Sequence, residues 1–292
     1  MSLWTLETVE ARDVLESVIR FYTSSGLANT DHYVWQPLAL LASTLITTGQ
    51  FEQAREMALR AWSAIEGLPS GPGMAAPLLA LAMAEAILGN HDATEHWCQT
   101  LRQRHSDFLR TSRADRAQWS LTDSHPVLAE IALAKGDVTE AVALAASGWR
   151  HFSQVQPLTP GPQMMAYITA RGMLSKAEHA CGLLDSAAAG ITQTLPLRLR
   201  YGIYRDALAE LDIVAAFAIE RGDIAAAARI YGGTHALRLR SLHVARPYIS
   251  ALHTATREKA RSQYPSEWSR GTTLTLVQLI TEAYDYLQSA GF

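Results

Sequence analysis

The stretch 136–141 reads Gly-Asp-Val-Thr-Glu-Ala, and this short phrase decides the fold class of the chain. It lies between two stretches in which hydrophobic residues recur three and four positions apart, the spacing of amphipathic helices. Related phrases occupy 49–54 and 222–227, and two degenerate copies begin at Gly89 and Gly182. Successive copies start 40 to 47 residues apart. Repetition at such a period is typical of stacked helix pairs.

Each part of the phrase has a physical role in a pair of helices. A glycine just past a helix end can adopt the left-handed conformation that caps the helix, and we expect the next polar residue to cap the second helix. Trp62 and Trp149 stand at the same distance from their glycines, which favours a packing role. The small residues, which allow close helix approach, also coincide in two aligned copies: Ala42, Ala54 and Ala61 in one, Ala129, Ala141 and Gly148 in the other.

This pattern resembles the tetratricopeptide repeat, although that repeat has about 34 residues and the present ones are longer. The resemblance implies an all-α fold, a right-handed superhelix of tetratricopeptide-like helix pairs, or α-solenoid. The Pro- and Gly-rich stretches 68–73 and 157–162 are too short for flexible linkers. We therefore expect one domain over 1–292, with closing helices over 246–290. The pairs centre on five glycines: Gly49, Gly89, Gly136, Gly182 and Gly222.

The C-terminal part carries a more specific pattern. The segment 228–233, Ala-Arg-Ile-Tyr-Gly-Gly, is followed by Tyr264, Trp268 and Gly271. These residues resemble the end of the helical-repeat module in LuxR-type ATP-binding and AfsR-like bacterial transcriptional regulators. The resemblance implies a signal-receiving domain. The sequence contains no phosphate-binding Gly-x-x-x-x-Gly-Lys-Ser/Thr motif and no convincing helix-turn-helix outside the repeats. The chain is therefore either a fragment of such a regulator or a stand-alone relative.

Composition excludes several classes of protein. The 292 residues carry a net charge of -3, which argues against binding nucleic acid over the whole surface. Two cysteines exclude a disulfide scaffold. No apolar run is long enough to span a membrane, and the acidic N-terminal stretch is unlike a signal peptide. We expect a cytoplasmic protein. The segment 221–270 is basic, with nine Lys and Arg against three Asp and Glu.

Histidine and cysteine spacing gives no catalytic or metal motif. The sequence has no His-x-x-x-His or Glu-x-x-His pair, so we predict no metal, no cofactor and no catalytic residue. His179 and Cys181 are two residues apart and would face apart on a helix, and a cysteine there is more typically a buried apolar filler. Aromatic and arginine side chains near repeat junctions are the candidate ligand contacts: Trp35, Trp119, Arg198, Arg200, Tyr201, Tyr204 and Arg205.

The leading hypothesis is a non-catalytic module that binds a protein segment or a small-molecule effector in a concave groove. We expect no contact with membranes and no direct contact with nucleic acid. One alternative is a protein-protein adaptor with an open peptide groove. Another is an enzyme built in a helical-repeat pocket. The last helix carries an apolar stripe that either mediates homodimerisation or is capped internally: Leu276, Leu279, Ile280 and Tyr284.

Overall fold

The structure, a computed structural model, describes residues 8–24, 31–111, 124–154, 162–202, 204, 206–241 and 243–292. Within these residues it contains fourteen α-helices, one short 3-10 turn (Pro72–Met74) and no strand. The helices are α1 (Thr8–Ser24), α2 (Asp31–Thr47), α3 (Phe51–Ser63), α4 (Ala75–Ile87), α5 (His91–Thr111), α6 (His125–Lys135), α7 (Val138–Ser153), α8 (Pro162–Ala180), α9 (Leu184–Tyr201), α10 (Ala207–Glu220), α11 (Ile224–Ser241), α12 (Pro247–Gln263), α13 (Pro265–Thr272) and α14 (Leu276–Ser289). The all-α prediction is confirmed.

The five repeat glycines form nearly identical turns. Their φ angles lie between 79° and 82°, in the left-handed region that glycine adopts without steric cost. At the first turn, the Gly49 amide donates to the Ile46 carbonyl and the next amide donates to the Leu45 carbonyl. The same pair of bonds recurs at Gly89, Gly182 and Gly222. This arrangement satisfies carbonyls that a helix end would otherwise leave without partners.

The expected polar N-caps form at some of these turns only. The Asp137 carboxylate accepts a hydrogen bond from the Glu140 amide, and the Asp223 carboxylate accepts one from the Ala226 amide. Gln50 precedes α3 without any side-chain capping bond, and so does Leu183 before α9. The glycine is therefore the constant feature of the turn, because the backbone geometry requires it, whereas the cap is optional.

The small residues predicted to lie between paired helices are buried. The residue five positions after each glycine has no exposed surface: Ala54, Thr94, Ala141, Ala187 and Ala227. The residue seven positions before each glycine is buried as well: Ala42, Ala82, Ala129, Ser175 and Ala215. The repeat seen in the sequence is thus a repeat of helix contacts.

Two compact units divide the chain, one within Glu7–Lys135 and the other within Gly136–Phe292. In the first unit each of α1 to α4 packs on the next helix, and α4 also packs on α2 and α6. In the second unit the helices from α7 to α12 pack in chain order, with α8 also on α10 and α10 also on α12. Sequential packing of this kind is consistent with an α-solenoid. The single domain over 1–292 stays a prediction.

The apolar stripe of α14 closes the second unit. Leu279, Ile280 and Leu287 have no exposed surface and belong to its core, since α14 packs on α9, α10 and α11. Tyr284 is partly buried against the same core. Of the two alternatives for this stripe, internal capping is the one observed. Homodimerisation stays a prediction, and it would need other side chains, because the buried residues of the stripe have no surface to offer a second copy.

Helices α11 and α13 approach closely enough to need glycine at their crossing. A Cβ atom added at Gly271 would overlap the Arg229 carbonyl oxygen of α11. A Cβ atom added at Gly232 would overlap the Trp268 carbonyl oxygen of α13. Both obstacles are backbone atoms, so rotation of a side chain cannot remove them. The Gly-Gly and Trp-x-x-Gly elements of the C-terminal pattern therefore form one contact.

Gly271→Ala should destabilise the protein because α13 must move away from α11 to admit the methyl group. We expect the free energy of unfolding to fall by about 1–3 kcal/mol, as for other overpacked sites. Chemical unfolding followed by circular dichroism measures the change. Gly67→Ala is the matched control, since its added Cβ meets no atom within 4 Å. Equal stability of the two variants would contradict the close crossing.

No helix among the described residues combines the length and the apolar character that crossing a lipid bilayer requires.

Candidate functional site

The structure places five of the seven predicted contact residues; Trp119 and Arg205 lie outside the described residues. Trp35 is half-buried on α2, in the first unit. Arg200 is exposed, and its guanidinium lies 5.3 Å from the ring centre of the half-buried Tyr201. Tyr204 packs against the core of the second unit. Their binding role stays a prediction.

Arg198 grips a carboxylate, but the carboxylate belongs to its own chain. Its side chain is 1% exposed, and its Nη2 and Nε atoms lie 2.5 Å and 2.9 Å from the two carboxylate oxygens of the fully buried Glu210. The Thr194 hydroxyl donates to the same carboxylate at 2.9 Å. Burial acts to lower the pKa of Arg198, but the Glu210 charge outweighs burial and raises it. This pair joins α9 to α10 and holds Arg198 away from solvent.

A second buried pair lies on α8, on the side that faces α9. The Arg171 guanidinium lies 3.3 Å from the Glu178 carboxylate, which also accepts a hydrogen bond from Ser186 at 2.7 Å. On its other side, Arg171 lies over the Trp149 ring, 5.6 Å from its centre. Gly190 provides the space, since a Cβ there would overlap Arg171. Trp149 therefore has the packing role that the repeat predicts.

Helices α8 and α10 each carry a polar residue at a position that is apolar or small in the other repeats. His179 lies three residues before the repeat glycine Gly182. In the other four repeats the same position holds Ile46, Ala86, Leu133 and Ile219. Asp212 on α10 lies ten residues before the repeat glycine Gly222. In the other four repeats the same position holds Ala39, Leu79, Pro126 and Gly172. Burial of such groups is unfavourable unless they find partners. Their partners define the candidate site.

The Asp212 carboxylate is the centre of this site. It is fully buried and accepts hydrogen bonds from Thr234 at 2.9 Å and from both terminal nitrogens of Arg238 at 2.6 Å and 3.2 Å. Arg257 reaches it more weakly, at 3.5 Å. Burial acts to raise the pKa of the Asp212 carboxyl, but Arg238 and the neighbouring positive groups hold it below its ordinary value. The carboxylate therefore stays charged and ties α10 to α11 and α12.

His253 on α12 lies beside Asp212 without hydrogen bonding to it. Its Nδ1 atom lies 3.0 Å from the Tyr231 hydroxyl, which also contacts the Thr256 hydroxyl at 3.1 Å. Burial raises the pKa of Tyr231, so its phenol keeps its proton. Burial lowers the pKa of His253 to about 4. His253 is therefore a neutral ring at neutral pH.

His179 from α8 stacks on His253. The ring centres are 4.9 Å apart and the planes differ by 19°. Burial also lowers the pKa of His179. Both ring nitrogens of His179 and the Nε2 atom of His253 are buried without hydrogen-bond partners. The rings thus present three polar atoms without hydrogen-bond partners, and the Nε atom of Arg257 is a fourth in the same place.

Positive charge dominates the surroundings of this pair. One carboxylate, Asp212, faces two guanidiniums, Arg238 and Arg257. Nearby on α11, burial lowers the pKa of His235 and the charges of Arg257 and Arg261 lower it further, which indicates a positive local potential. The basic segment 221–270 therefore contributes its charge to this part of the second unit. We call His179, Asp212, Tyr231, Thr234, Arg238, His253 and Arg257 the Asp212–His253 cluster.

Sequence reasoning does not find this cluster. Spacing pairs His179 only with Cys181, which is exposed and so is not the buried filler that its residue type favours. The helpful signal is the repeat itself, because alignment on the glycines shows His179 and Asp212 as polar residues at apolar positions. Among the described residues, no group of three His, Cys, Asp or Glu side chains is arranged to hold a metal ion.

Comparison with known proteins gives no family for this chain: no family model matches it, and no curated protein does.

Proposed function

We propose that this chain is a non-catalytic binding module that receives a small-molecule effector at the Asp212–His253 cluster. The observation that carries the proposal is the set of buried ring nitrogens on His179 and His253 that have no partner. A buried polar atom left without a hydrogen bond costs about 1–3 kcal/mol of stability. A ligand that hydrogen bonds to these atoms would offset that cost.

The position of the cluster supports a ligand between helices over a peptide on an open groove. Its members come from α8, α10, α11 and α12 and are mostly buried. The partly exposed Arg257, at 22%, lies at its edge. A small molecule can enter such a site when neighbouring helices separate slightly. An open adaptor groove needs exposed contact residues, and Arg198 among the predicted contacts is closed off by Glu210.

The residues of the cluster are poorly arranged for catalysis. Asp212 bonds to Thr234 and Arg238 and makes no hydrogen bond to His253. The raised pKa of Tyr231, caused by burial, leaves no phenolate to act as a base. General acid-base catalysis needs a group whose pKa is near the working pH, and burial takes the pKa of His253 down to about 4. These features favour binding over an enzyme built in the repeat.

The C-terminal pattern suggests a biological setting for such a module. We propose a sensor domain of a cytoplasmic bacterial transcriptional regulator, with helix pairs wound as a right-handed tetratricopeptide-like superhelix. A ligand bound between α8, α10 and α12 would favour one spacing of these helices over another. Such a ligand shifts the equilibrium between two states by its difference in affinity for them. Contact with DNA would then belong to another domain or partner.

Native mass spectrometry tests this function directly. Protein purified from a bacterial host should carry a small mass that mild denaturation releases, and His253→Gln should lose it. His91→Gln is the matched control, because His91 is exposed on α5 in the first unit. If the purified protein is bare, it is incubated with a metabolite extract of that host and measured again. A chain that stays bare would contradict an effector site and favour the adaptor.

A further inference from the structure

We infer that the effector carries a carboxylate or phosphate group, which binds between Arg257 and the stacked rings of His179 and His253. This inference rests on the proposed function, since it names the chemistry of the ligand at the same site. Three observations carry it: the excess of positive charge, the free polar atoms of Arg257, and the free nitrogens of the two rings.

The first observation is the charge of the cluster. Asp212 forms a paired hydrogen bond with Arg238, and this geometry matches one guanidinium to one carboxylate. Arg257 reaches the same carboxylate only at 3.5 Å. Among the described residues, Arg257 forms no other ion pair. The two guanidiniums therefore share one carboxylate, and the cluster keeps one unbalanced positive charge in a largely buried setting, which is unfavourable unless an anion joins it.

The second observation is the state of the Arg257 side chain. Its Nε atom is buried and has no hydrogen-bond partner. Its guanidinium lies over the Tyr231 ring, 5.5 Å from the ring centre, and this contact holds it next to the cluster. Guanidinium groups present several N–H donors in one plane and bind carboxylate and phosphate oxygens with two of them. The side chain therefore lies at the cluster with N–H donors that its one hydrogen bond, to Asp212, does not use.

The third observation is the pair of rings. A neutral imidazole donates one hydrogen bond, and a protonated one donates two. Five polar or charged residues face His253. They are Asp212 from α10, His179 from α8, Tyr231 and Arg238 from α11, and Arg257 from its own helix, α12. His179 faces Asp212 and His253. An anion between the rings and Arg257 would accept hydrogen bonds from His179, His253 and Arg257. Its negative charge would also favour the protonated form of both rings.

Anion binding should be coupled to the binding of protons by the two histidine rings. Without an anion, burial keeps the pKa values of His179 and His253 below the ordinary value. A bound anion favours the protonated rings, so binding takes up protons. Affinity for the anion should therefore increase as the pH falls. A neutral ligand would lack this dependence, because it gives the protonated rings no counter-charge.

The experiment uses the full chain and two probe anions whose own charges stay constant over the pH range. Sulfate represents a phosphate group and formate represents a carboxylate, with chloride at equal ionic strength as the reference. NMR of the histidine ring nitrogens follows the titration. We expect saturable shifts of His179 and His253, and affinity roughly tenfold higher at about pH 5.5 than at about pH 7.5. The anion with the higher affinity identifies the group.

Two charge-neutralising variants on α12 complete the test. Arg257→Gln should weaken anion binding by roughly tenfold or more, and its folding is checked by circular dichroism. Lys259→Gln removes the same charge from an exposed residue of that helix and should bind normally. His253→Gln should reduce the pH dependence to the part that His179 contributes. Equal losses in the two variants, or no saturable shift above chloride, would overturn the inference. A different result separates the two proposals. If native spectra show a bound small molecule but the histidines respond to neither anion, the effector is not an anion, and the proposal of an effector site is unaffected.

Discussion

Glu210→Gln should destabilise the second unit far more than a substitution that removes one charge from an exposed ion pair. The substitution keeps the shape of the side chain but leaves the Arg198 guanidinium, which is 1% exposed, without a counter-charge. Loss of one partner of a buried ion pair costs about 3–5 kcal/mol. Thr194 would also lose its charged acceptor, although it keeps its bond to the Ile191 carbonyl. Urea unfolding of the full chain, followed by circular dichroism and by fluorescence, measures the effect.

Asp185→Asn is the matched control for this change. The Asp185 carboxylate pairs with Arg221 at 3.2 Å, and both side chains are more than half exposed. Exposed pairs contribute about 0–1 kcal/mol, so this variant should remain near the stability of the parent. A double variant, Arg198→Met with Glu210→Leu, separates charge from packing. It should recover much of the lost stability, because an apolar pair of similar volume leaves no unpaired charge.

A small effect of Glu210→Gln would mean that water reaches Arg198. The glycine facing this pair gives a second way to perturb it. A Cβ at Gly172 would overlap the Glu210 carboxylate and push it away from Arg198. If the buried contact is correct, Gly172→Ala should destabilise the protein in the same direction. Parent-like stability of both variants would show that the pair contributes little.

The repeat could be predicted from sequence because its determinants are local. A glycine at a helix end is selected by the φ angle of one residue, and all five glycines adopt the expected value. The small residues follow the same logic, since paired helices that are adjacent in sequence must approach at fixed positions. Ala54 and Ala141 are fully buried for that reason. Composition and spacing were enough to find these features.

The cluster could not be predicted because its members are distant in sequence. Asp212 and His253 meet only when α10 and α12 pack together, and no spacing rule connects them. Arg198 shows the same difficulty, because its charge suggested a ligand clamp while its partner lies beyond the end of its own helix. For His179 and Asp212, the alignment on the glycines shows a polar residue at a position that is apolar or small in the other repeats. It does not show which residue comes to face it.

Acidification should destabilise the protein within a pH range that identifies the stacked histidines. Burial lowers the pKa of His253 from 6.5 to about 4, and burial lowers the pKa of His179 in the same direction. The unfolded chain therefore binds more protons than the folded one in this range. The contribution of His253 is fully present above about pH 6.5 and is lost as the pH falls to about 4. The loss for His253 alone is about 3 kcal/mol.

The pH range of the stability loss separates protonation of histidines from protonation of carboxylates. Asp212, whose pKa is lowered by Arg238 against the effect of burial, weakens the fold only below the ordinary pKa of aspartate, which is about 3.9. Urea unfolding between about pH 7 and about pH 4.5 therefore reports mainly on the histidines whose pKa is lowered by burial: His179, His253 and the less buried His235. His253→Gln should flatten the dependence in this interval, whereas the exposed control His91→Gln should keep it. If the parent is equally stable at both ends, the rings are hydrated in solution and are not the buried neutral pair of the structure. In that case the unpartnered nitrogens, on which the effector site depends, would already be satisfied by water.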